Sequence, residues 1–373
     1  MIREDPKVKG LLYAGTEFGL YASWDAGATW ASIRNNIPPV AVRDIAIHPR
    51  DNDIIVATHG RGIYILDDAA PLQHLQTAVR GDAYLFPIRP AIRWAGGGST
   101  FRANERDWIA PNPAPGAWIH VYLKTAPPQP VTITIADKAG KTVRTLRAKG
   151  EAGVNRFLWN LRYDIPGERP APVGATPAEP PAGGRFGGGP QGPAVNPGEY
   201  TVKVAAGGSE LTGAVSVRLD PAVQVAAADL DAQLQAAFTA LALQRRVNGV
   251  VERVDSLLAQ LAALEAQAGR QAEPPSYRRL VTDAVSKLKA FRDDELARPL
   301  AGLGYRQYPR LREDVQSLVG YFNRGFRRPN EGELTRMKDL TASVEKAEAR
   351  LKALEAGEVG AINEALKGEP RIK

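Results

Sequence analysis

Two segments near the N-terminus repeat one another at a fixed distance. They are Leu11-Leu12-Tyr13-Ala14-Gly15-Thr16-Glu17-Phe18-Gly19-Leu20-Tyr21 and Ile54-Ile55-Val56-Ala57-Thr58-His59-Gly60-Arg61-Gly62-Ile63-Tyr64, with aligned positions 43 residues apart. Pro6 and Pro49 share this offset. A period near 43 residues is typical of β-propellers, in which each blade is a four-stranded sheet. The repeat therefore predicts partial β-propeller blades at the start of the chain.

Short apolar runs in both units alternate with turns rich in glycine, aspartate, asparagine and proline, as strands joined by tight loops require. The predicted strands cover residues 11–15, 19–23 and 29–34 in the first unit and residues 44–47, 54–58 and 62–66 in the second. The first strand of the second unit begins near Val42, so its counterpart would begin before Met1. So few strands cannot close a propeller. We expect either the C-terminal part of a larger protein or a sheet completed by an oligomer partner, and favour the first.

An eight-residue motif lies between two strands of the first unit: Ser23-Trp24-Asp25-Ala26-Gly27-Ala28-Thr29-Trp30. It fits the pattern S-x-D-x-G-x-T-W and resembles the Asp box of bacterial neuraminidase-type (BNR) repeats. Ser23 and Asp25 are suited to accept hydrogen bonds from turn amides, and Gly27 permits a positive φ. Trp30 is expected to pack on the next blade. We predict a structural role for the five motif residues, Ser23, Asp25, Gly27, Thr29 and Trp30, because in such families the Asp box lies on a peripheral turn.

The middle of the chain has the pattern of an antiparallel β-sandwich. Predicted strands cover residues 118–123, 131–136, 143–146, 157–163, 200–205 and 214–219. A Pro/Gly-rich segment at residues 166–198 interrupts them and is predicted to be a disordered insertion, because it cannot bury enough apolar area to order itself. The predicted domains are a partial propeller at 1–75, a connector at 76–110, an Ig-like sandwich at 111–220 and a helical domain at 221–373.

Apolar residues after Ala227 recur at steps of three and four, which predicts helices. We expect them near residues 227–268, 277–296, 310–322 and 334–366, packed as antiparallel hairpins or a bundle. A local basic cluster with tyrosines also fits nucleic-acid binding, although solvated helix ends are the favoured interpretation. The cluster comprises Arg306, Arg310, Arg312, Arg324, Arg327 and Arg328, with Tyr305, Tyr308 and Tyr321.

Composition excludes several classes of function. The chain has no cysteine, which rules out a disulfide framework, thiolate zinc sites and a cysteine nucleophile. Its four histidines leave little room for a multi-histidine metal cage, and we predict neither a metal nor a cofactor. No apolar run approaches the roughly 20 residues that span a bilayer. The net charge of +7 is spread along the chain, so no nucleic-acid partner is predicted.

Nearly the whole chain resembles large bacterial BNR-repeat, sortilin-like propeller proteins, many of which are labelled glycosyl hydrolases by similarity. The propeller motifs above carry most of the resemblance. Asn155-Arg156-Phe157-Leu158-Trp159-Asn160-Leu161-Arg162 and Pro197-Gly198-Glu199-Tyr200-Thr201-Val202 look like the Ig-like domain that follows the propeller in such proteins. The resemblance implies an exported protein, periplasmic or secreted, and it assigns no catalytic residue to this sequence.

Two functions remain in competition. A non-catalytic binding or scaffolding module, with a protein or polysaccharide ligand, is favoured because no reactive constellation is visible. The alternative is a fragment of a glycoside hydrolase, which needs two carboxylates roughly 5–10 Å apart across a cleft. Two adjacent pairs, Asp67-Asp68 and Asp293-Asp294, are poor candidates because neighbouring side chains point to different faces. A sialidase-like arginine cluster would have to draw on Arg43, Arg61 and Arg93.

Overall fold

The computed structural model describes residues 1–95, 114–165, 191–269, 275–299, 308–366 and 371–372. Within these residues, β-strands occupy the first part of the chain and helices the last, as predicted. The chain divides into two compact units, which we call the β unit and the helical unit. The β unit comprises Met1–Gln191 and Pro197–Pro221; the helical unit comprises Gly192–Asn196 and Ala222–Lys373.

The N-terminal strands form two antiparallel sheets. Their bounds are β1 (Ile2–Glu4), β2 (Leu12–Thr16), β3 (Gly19–Ser23), β4 (Ala31–Ser32), β5 (Val42–Ile47), β6 (Ile54–Thr58) and β7 (Ile63–Leu66). Sheet I has the order β1-β2-β3-β4, and sheet II has the order β5-β6-β7. The repeat in the sequence therefore appears as two sheets with the same succession of strands. A short β1 pairs with β2, where the sequence predicted that the first strand would begin before Met1.

The strand predicted at residues 29–34 is wrong in its extent, since only Ala31–Ser32 pairs with β3. Residues 29 and 30 belong instead to the preceding turn. The amide of Thr29 donates to the Asp25 carboxylate, and the Trp30 indole donates to the Gly27 carbonyl. After Ser32 the amide of Ile33 still donates to the Leu20 carbonyl of β3 at 3.0 Å, and the chain then turns, with a φ of 40° at Asn35. The turns on both sides therefore leave a short strand.

Sheets I and II share one hydrophobic core. Alternate residues of β2, β3 and β6 point into it, as the two-residue period of a strand requires. The buried members are Leu11, Tyr13, Leu20, Ala22, Ile37, Val42, Ile45, Ile54, Val56 and Ala69. The sheets approach so closely that a Cβ on Gly15 would lie 2.5 Å from Cγ1 of Val42. Arg3 adds a polar link from sheet I, donating to the carbonyl of Ile45 at 3.2 Å.

The rest of the β unit contains two short helices and two more sheets. The elements are α1 (Ala70–Gln73), α2 (Leu75–Ala78), β8 (Ala83–Leu85), β9 (Ala91–Arg93), β10 (Ala117–Leu123), β11 (Val131–Ala136), β12 (Thr142–Ala148), β13 (Gly153–Trp159), β14 (Gly198–Ala206) and β15 (Ser209–Leu219). Sheet III has the order β13-β10-β8, and sheet IV has the order β12-β11-β14-β15-β9, in which β9 is parallel to β15. Trp159 of sheet III meets Tyr200 of sheet IV edge-on, with ring centroids 5.2 Å apart.

Two details of this region differ from the sequence prediction. The strand predicted at residues 157–163 is shifted, since β13 covers Gly153–Trp159 and Leu161 has a φ of 55°, which ends the extended conformation. Residues 83–85 and 91–93, in the predicted connector, add a strand to each sheet. The predicted insertion at 166–198 lies outside the described residues from 166 to 190, and Gly192–Asn196 belongs to the helical unit.

The helical unit is organised around one long helix. Its helices are α3 (Ala227–Ala268), α4 (Arg278–Ala290), α5 (Leu311–Phe322), α6 (Glu331–Leu354) and α7 (Gly360–Ala365), with π-helical turns at Phe291–Leu296 and Glu355–Val359. At about 1.5 Å per residue, the 42 residues of α3 span roughly 60 Å. Buried apolar residues along α3 form two clusters, one with α4 and the chain end and one with α5 and α6.

The ion pairs between these helices show in which direction each helix runs. Arg246 pairs with Glu348, and Arg253 pairs with Glu355. Residue numbers rise in the same direction on both sides of these pairs, so α6 runs parallel to α3. In contrast, α4 returns antiparallel, because the π turn that follows it places Arg292 against Asp255 at 2.7 Å. The prediction of antiparallel hairpins is thus correct for α3 and α4, whereas α3 and α6 are parallel.

Candidate functional site

The motif at Ser23–Trp30 is a closed network of hydrogen bonds. The Ser23 hydroxyl donates to Asp25 at 2.7 Å and accepts from the amide of Gly27 at 2.8 Å. Asp25 also accepts from the amide and hydroxyl of Thr29, at 2.8 and 2.5 Å. The Thr29 hydroxyl, then its amide and Ser23, lower the pKa of Asp25 to about 2. The hydrogen bonds expected of Ser23 and Asp25 are made, and they engage both carboxylate oxygens within the turn.

The two tryptophans of this motif lie in different surroundings, and Trp30 does not make the contact with the next blade that was expected. Trp30 lies over its own turn, with Nε1 donating to the Gly27 carbonyl at 3.0 Å, and it is 39% exposed. Gly27 has a φ of 96°, as predicted, and a Cβ added there would lie 3.7 Å from Cζ2 of Trp30, an ordinary van der Waals contact. Trp24 instead packs against the shared core and donates to the carbonyl of Leu72 at 2.8 Å. The residue that links this turn to the region after sheet II is therefore Trp24.

A buried carboxylate, Asp5, organises the region where sheets I and II meet α1. It accepts hydrogen bonds from the amides of Lys7 and Val8, at 2.8 and 3.0 Å, and from the Tyr13 hydroxyl at 2.8 Å. The side-chain amide of Gln73 donates to both carboxylate oxygens, at 3.1 and 2.9 Å. Burial, followed by the charge of Asp5, raises the pKa of Tyr13, so this phenol stays protonated as the donor. The arrangement suits a structural anchor better than a base.

The same network continues through two residues in loops of sheet II: Asn52 lies between β5 and β6, and Asp68 follows β7. Asn52 has a φ of 60° and Asp68 a φ of 64°, in the left-handed region that asparagine and aspartate tolerate in turns. Asn52 exchanges hydrogen bonds with the Gln73 amide at 3.0 and 2.9 Å. Asp68 accepts from the amide of Ala70 at 3.0 Å, at the start of α1. These contacts hold the chain where it leaves β7.

His120 of β10 lies in a neighbouring cluster of charged groups. It is 6% exposed. Burial lowers its pKa to about 4, the Asp68 carboxylate opposes this shift, and Arg156 and Arg89 add to it. Arg156 stacks on Trp118, 3.7 Å from the ring centroid, and pairs with Asp67 at 3.4 Å. At neutral pH, His120 is therefore an uncharged imidazole beside a carboxylate and two guanidinium groups.

The β unit is expected to lose stability as the pH falls through the range set by His120. An unfolded histidine has a pKa near 6.5. Between that value and the folded pKa of about 4, the unfolded chain binds a proton that the folded chain does not. Stability therefore falls with decreasing pH, by roughly 3 kcal/mol over the whole window. Urea midpoints followed by tryptophan fluorescence measure this slope.

The matched variant is His120→Gln, which removes the titrating group and keeps a polar side chain. Carboxylates that titrate in the same range are common to both proteins, so the difference between the two profiles isolates His120. We expect the difference in the free energy of unfolding between wild type and variant to shrink as the pH falls. Two parallel profiles would contradict the assignment.

Three of the carboxylates considered for hydrolysis have partners of their own. Asp67 pairs with Arg156, whereas Asp68 accepts from the amide of Ala70, so the adjacent pair contacts different partners. Asp293 accepts from Arg292 at 2.9 Å within the π turn after α4. Arg43 lies in sheet II and Arg93 in sheet IV. In the described ranges, no group of three His, Cys, Asp or Glu side chains could hold a metal ion.

The basic cluster of the helical unit is extensively paired. Arg327 pairs with Glu333, Arg328 with Asp229 at 3.5 Å, and Arg312 with Glu313 at 3.0 Å. Arg306 and Tyr305 lie outside the described residues. None of the helices that the structure describes is long and apolar enough to cross a membrane.

A different surface is exposed on sheet II, at the outer edge of β7. Among the described strands, none pairs with this edge. The strand is Ile63-Tyr64-Ile65-Leu66, and its side chains are 69% exposed at Ile63, 59% at Ile65 and 44% at Leu66. Tyr64 alone packs on the shared core. An apolar, uncharged edge strand is a template for another strand.

The turn at Ser23–Trp30 is predictable from the sequence, whereas the buried network around Asp5 is not. Asp5, Asn52, Gln73 and His120 are distant in sequence, and no local motif joins them. The sequence offers one hint about Asp5. It precedes Pro6, at the position of the repeat that His48 occupies before Pro49, 43 residues later.

Comparison with known proteins gives no family to which the chain can be assigned. No protein-family model matches the sequence, and no curated protein matches it either. The function must therefore be argued from the residues themselves.

Proposed function

We propose that this chain is a non-catalytic binding or scaffolding part of an exported protein, periplasmic or secreted, built on BNR-type propeller blades. The 43-residue repeat supports this proposal, because it coincides with two antiparallel sheets that share a core. The hydrogen-bonded turn at Ser23–Trp30 supports its assignment as an Asp box with a structural role. Sheets III and IV, joined by the contact between Trp159 and Tyr200, support an Ig-like sandwich after the blades.

One observation carries the binding function: the exposed apolar edge of β7. Ile63 and Ile65 present branched apolar side chains beside unpaired backbone groups, and β-branched residues favour strand pairing. Strand addition supplies affinity through main-chain hydrogen bonds and specificity through alternate side chains. Asp5, Asp25 and Asp68, in contrast, already accept hydrogen bonds that maintain turns and helix ends. The ligand class that fits this edge is an extended polypeptide segment.

A generic strand probe tests the proposal. The probe is a fluorescein-labelled peptide of seven alternating threonine and valine residues, added to dilute intact protein. We expect a saturable rise in fluorescence anisotropy that is lost in Ile65→Lys, because a lysine on the edge strand opposes pairing. Phe18→Lys is the matched control, since Phe18 is 71% exposed at the tip of the β2–β3 hairpin. It should bind the peptide like wild type.

The glycoside hydrolase alternative is tested in parallel. The intact protein is incubated with neutral and acidic polysaccharides, and reducing ends are measured. We expect no release. Hydrolysis that disappears in Asp67→Asn or Asp68→Asn, or a failure of wild type to bind the strand peptide, would overturn the proposed function.

A further inference from the structure

One face of sheet III carries two buried side chains that lie opposite one another. His120 of β10 is 6% exposed, and Phe86, whose amide donates to the His120 carbonyl at 3.1 Å, is 1% exposed. The odd-numbered residues of β10 share the face of Trp159, which contacts sheet IV, so the even-numbered His120 lies on the other face. We call this second face the outer face. Because His120 and Phe86 are buried there, another part of the β unit covers them.

The contacts beside His120 join sheet III to sheet II. Arg156, the cross-strand partner of His120, pairs with Asp67 directly after β7 at 3.4 Å. Arg89, in the connection between β8 and β9, pairs with Asp53 before β6 at 2.8 Å. We call these two ion pairs, with His120 between them, the junction. It holds one end of sheet II against the outer face of sheet III.

The junction is not part of the apolar core on the N-terminal side. Among the described residues, the core shared by sheets I and II contains no member from β8 to β15. On the other side, sheets III and IV contact each other through Trp159 and Tyr200. Separation at the junction would therefore leave these contacts in place. Local openings of this kind cost less free energy than global unfolding.

The charges around His120 oppose a proton on its ring. Three groups act on it: Arg156 from β13, Arg89 from the connection after β8, and Asp68 from the residue after the end of sheet II. Asp68 already accepts a hydrogen bond from the amide of Ala70 at 3.0 Å. A protonated His120 would add a third cation to this cluster while buried, where charge is poorly solvated. Opening of the junction relieves this cost.

We propose that the junction is a pH-sensitive switch, which holds sheets I and II against the outer face of sheet III at neutral pH and opens when His120 is protonated. In the open state, His120 reaches water and has the ordinary histidine pKa near 6.5. In the closed state, burial lowers this pKa to about 4. Between these values the open state binds a proton that the closed state does not, so a fall in pH favours opening. The ratio of open to closed molecules should rise roughly 20-fold from pH 7 to pH 5.

A distance measured across the junction tests the proposal. The chain has no cysteine, so two introduced cysteines carry the only spin labels. Glu17→Cys in the β2–β3 hairpin and Lys138→Cys in the β11–β12 turn are exposed and lie on opposite sides of the junction. Double electron–electron resonance measures their separation in the intact chain from pH 7 to pH 4. We expect one distance at pH 7 and a second, broader population that grows as the pH falls.

Three controls accompany this measurement. His120→Gln in the same labelled chain should keep the single distance at every pH, because the titrating group is gone. Labels at Glu17→Cys and Arg61→Cys, both within sheets I and II, should keep their separation in acid. Asp67→Asn removes the ion pair with Arg156 and should raise the ratio of open to closed molecules roughly two- to fivefold at a given pH.

Three results would overturn the proposal. The first is a separation between labels 17 and 138 that stays unchanged down to pH 4. The second is an equal change in His120→Gln, which would assign the opening to other groups. The third is a simultaneous change in the separation between labels 17 and 61, which would mean that sheets I and II themselves unfold. None of these measurements uses the strand peptide, so a failure of the proposed function is recognised separately.

Discussion

Asp5→Leu is expected to lower the free energy of unfolding of the β unit by roughly 3–5 kcal/mol. The substitution keeps a similar volume but removes both acceptors for Lys7, Val8, Tyr13 and Gln73. Asp5 is 4% exposed, so water cannot replace these contacts without opening the structure. Each buried donor left unpaired costs about 1–3 kcal/mol, and here several lose their partner together.

The measurement separates the two units. All six tryptophans lie within the first 160 residues, so intrinsic fluorescence reports the β unit alone. Far-ultraviolet circular dichroism reports mainly the helical unit, whose transition should not move. Tyr13→Phe removes one of the donors and should cost only about 1 kcal/mol. Glu17→Leu, at an exposed hairpin position, should change stability by less than about 0.5 kcal/mol. Equal effects of Asp5→Leu and Glu17→Leu would show that the network contributes nothing.

The repeat made much of sheets I and II predictable, because local alternation and turn residues determine where strands begin and end. The predictions failed where longer-range contacts decide. Residues 83–85 and 91–93 are short and lack an alternating pattern, and they become strands only because β10 and β15 offer edges to pair with. Similarly, periodicity predicts that α3 and α6 exist but contains no information on their parallel packing, which brings Leu340 and Val344 of α6 into one buried cluster with α3.

The candidate sites show the same difference between local and long-range contacts. The turn at Ser23–Trp30 was readable because its contacts join residues at most four apart. Asp5 and Gln73 are 68 residues apart, and their hydrogen bond depends on the packing of α1 beside sheet I. For Trp30, the motif predicts that an indole is present but not where it packs. Its Nε1 donates to the Gly27 carbonyl, so the ring lies on its own turn. The apolar residues of β7 predict a strand. Whether that strand is exposed depends on its place in the sheet, which the sequence does not show.

Gly116→Ala is expected to destabilise the β unit by roughly 3–6 kcal/mol, because it combines backbone strain with overlap. Gly116 has a φ of +151°, a conformation that is open to glycine and strained for alanine. Its added Cβ would lie 2.3 Å from the carbonyl oxygen of Trp159 and 2.7 Å from Cδ1 of Leu158. A backbone carbonyl in a paired strand cannot move aside as a flexible side chain can. Ala117 pairs directly with Trp159, so the overlap falls where β10 and β13 begin their pairing.

Gly153→Ala is the matched control, at the other end of the same strand pair, where Gly153 faces Leu123. Gly153 also has a positive φ, of +99°, but nothing lies within 4 Å of its added Cβ. Its substitution should therefore cost only the backbone strain, about 1–2 kcal/mol. Urea unfolding followed by tryptophan fluorescence measures both variants, with Trp118 and Trp159 beside the altered strands. If the two substitutions lower the free energy of unfolding equally, the overlap with the Trp159 carbonyl contributes nothing. The close approach of Gly116 to β13 would then be contradicted.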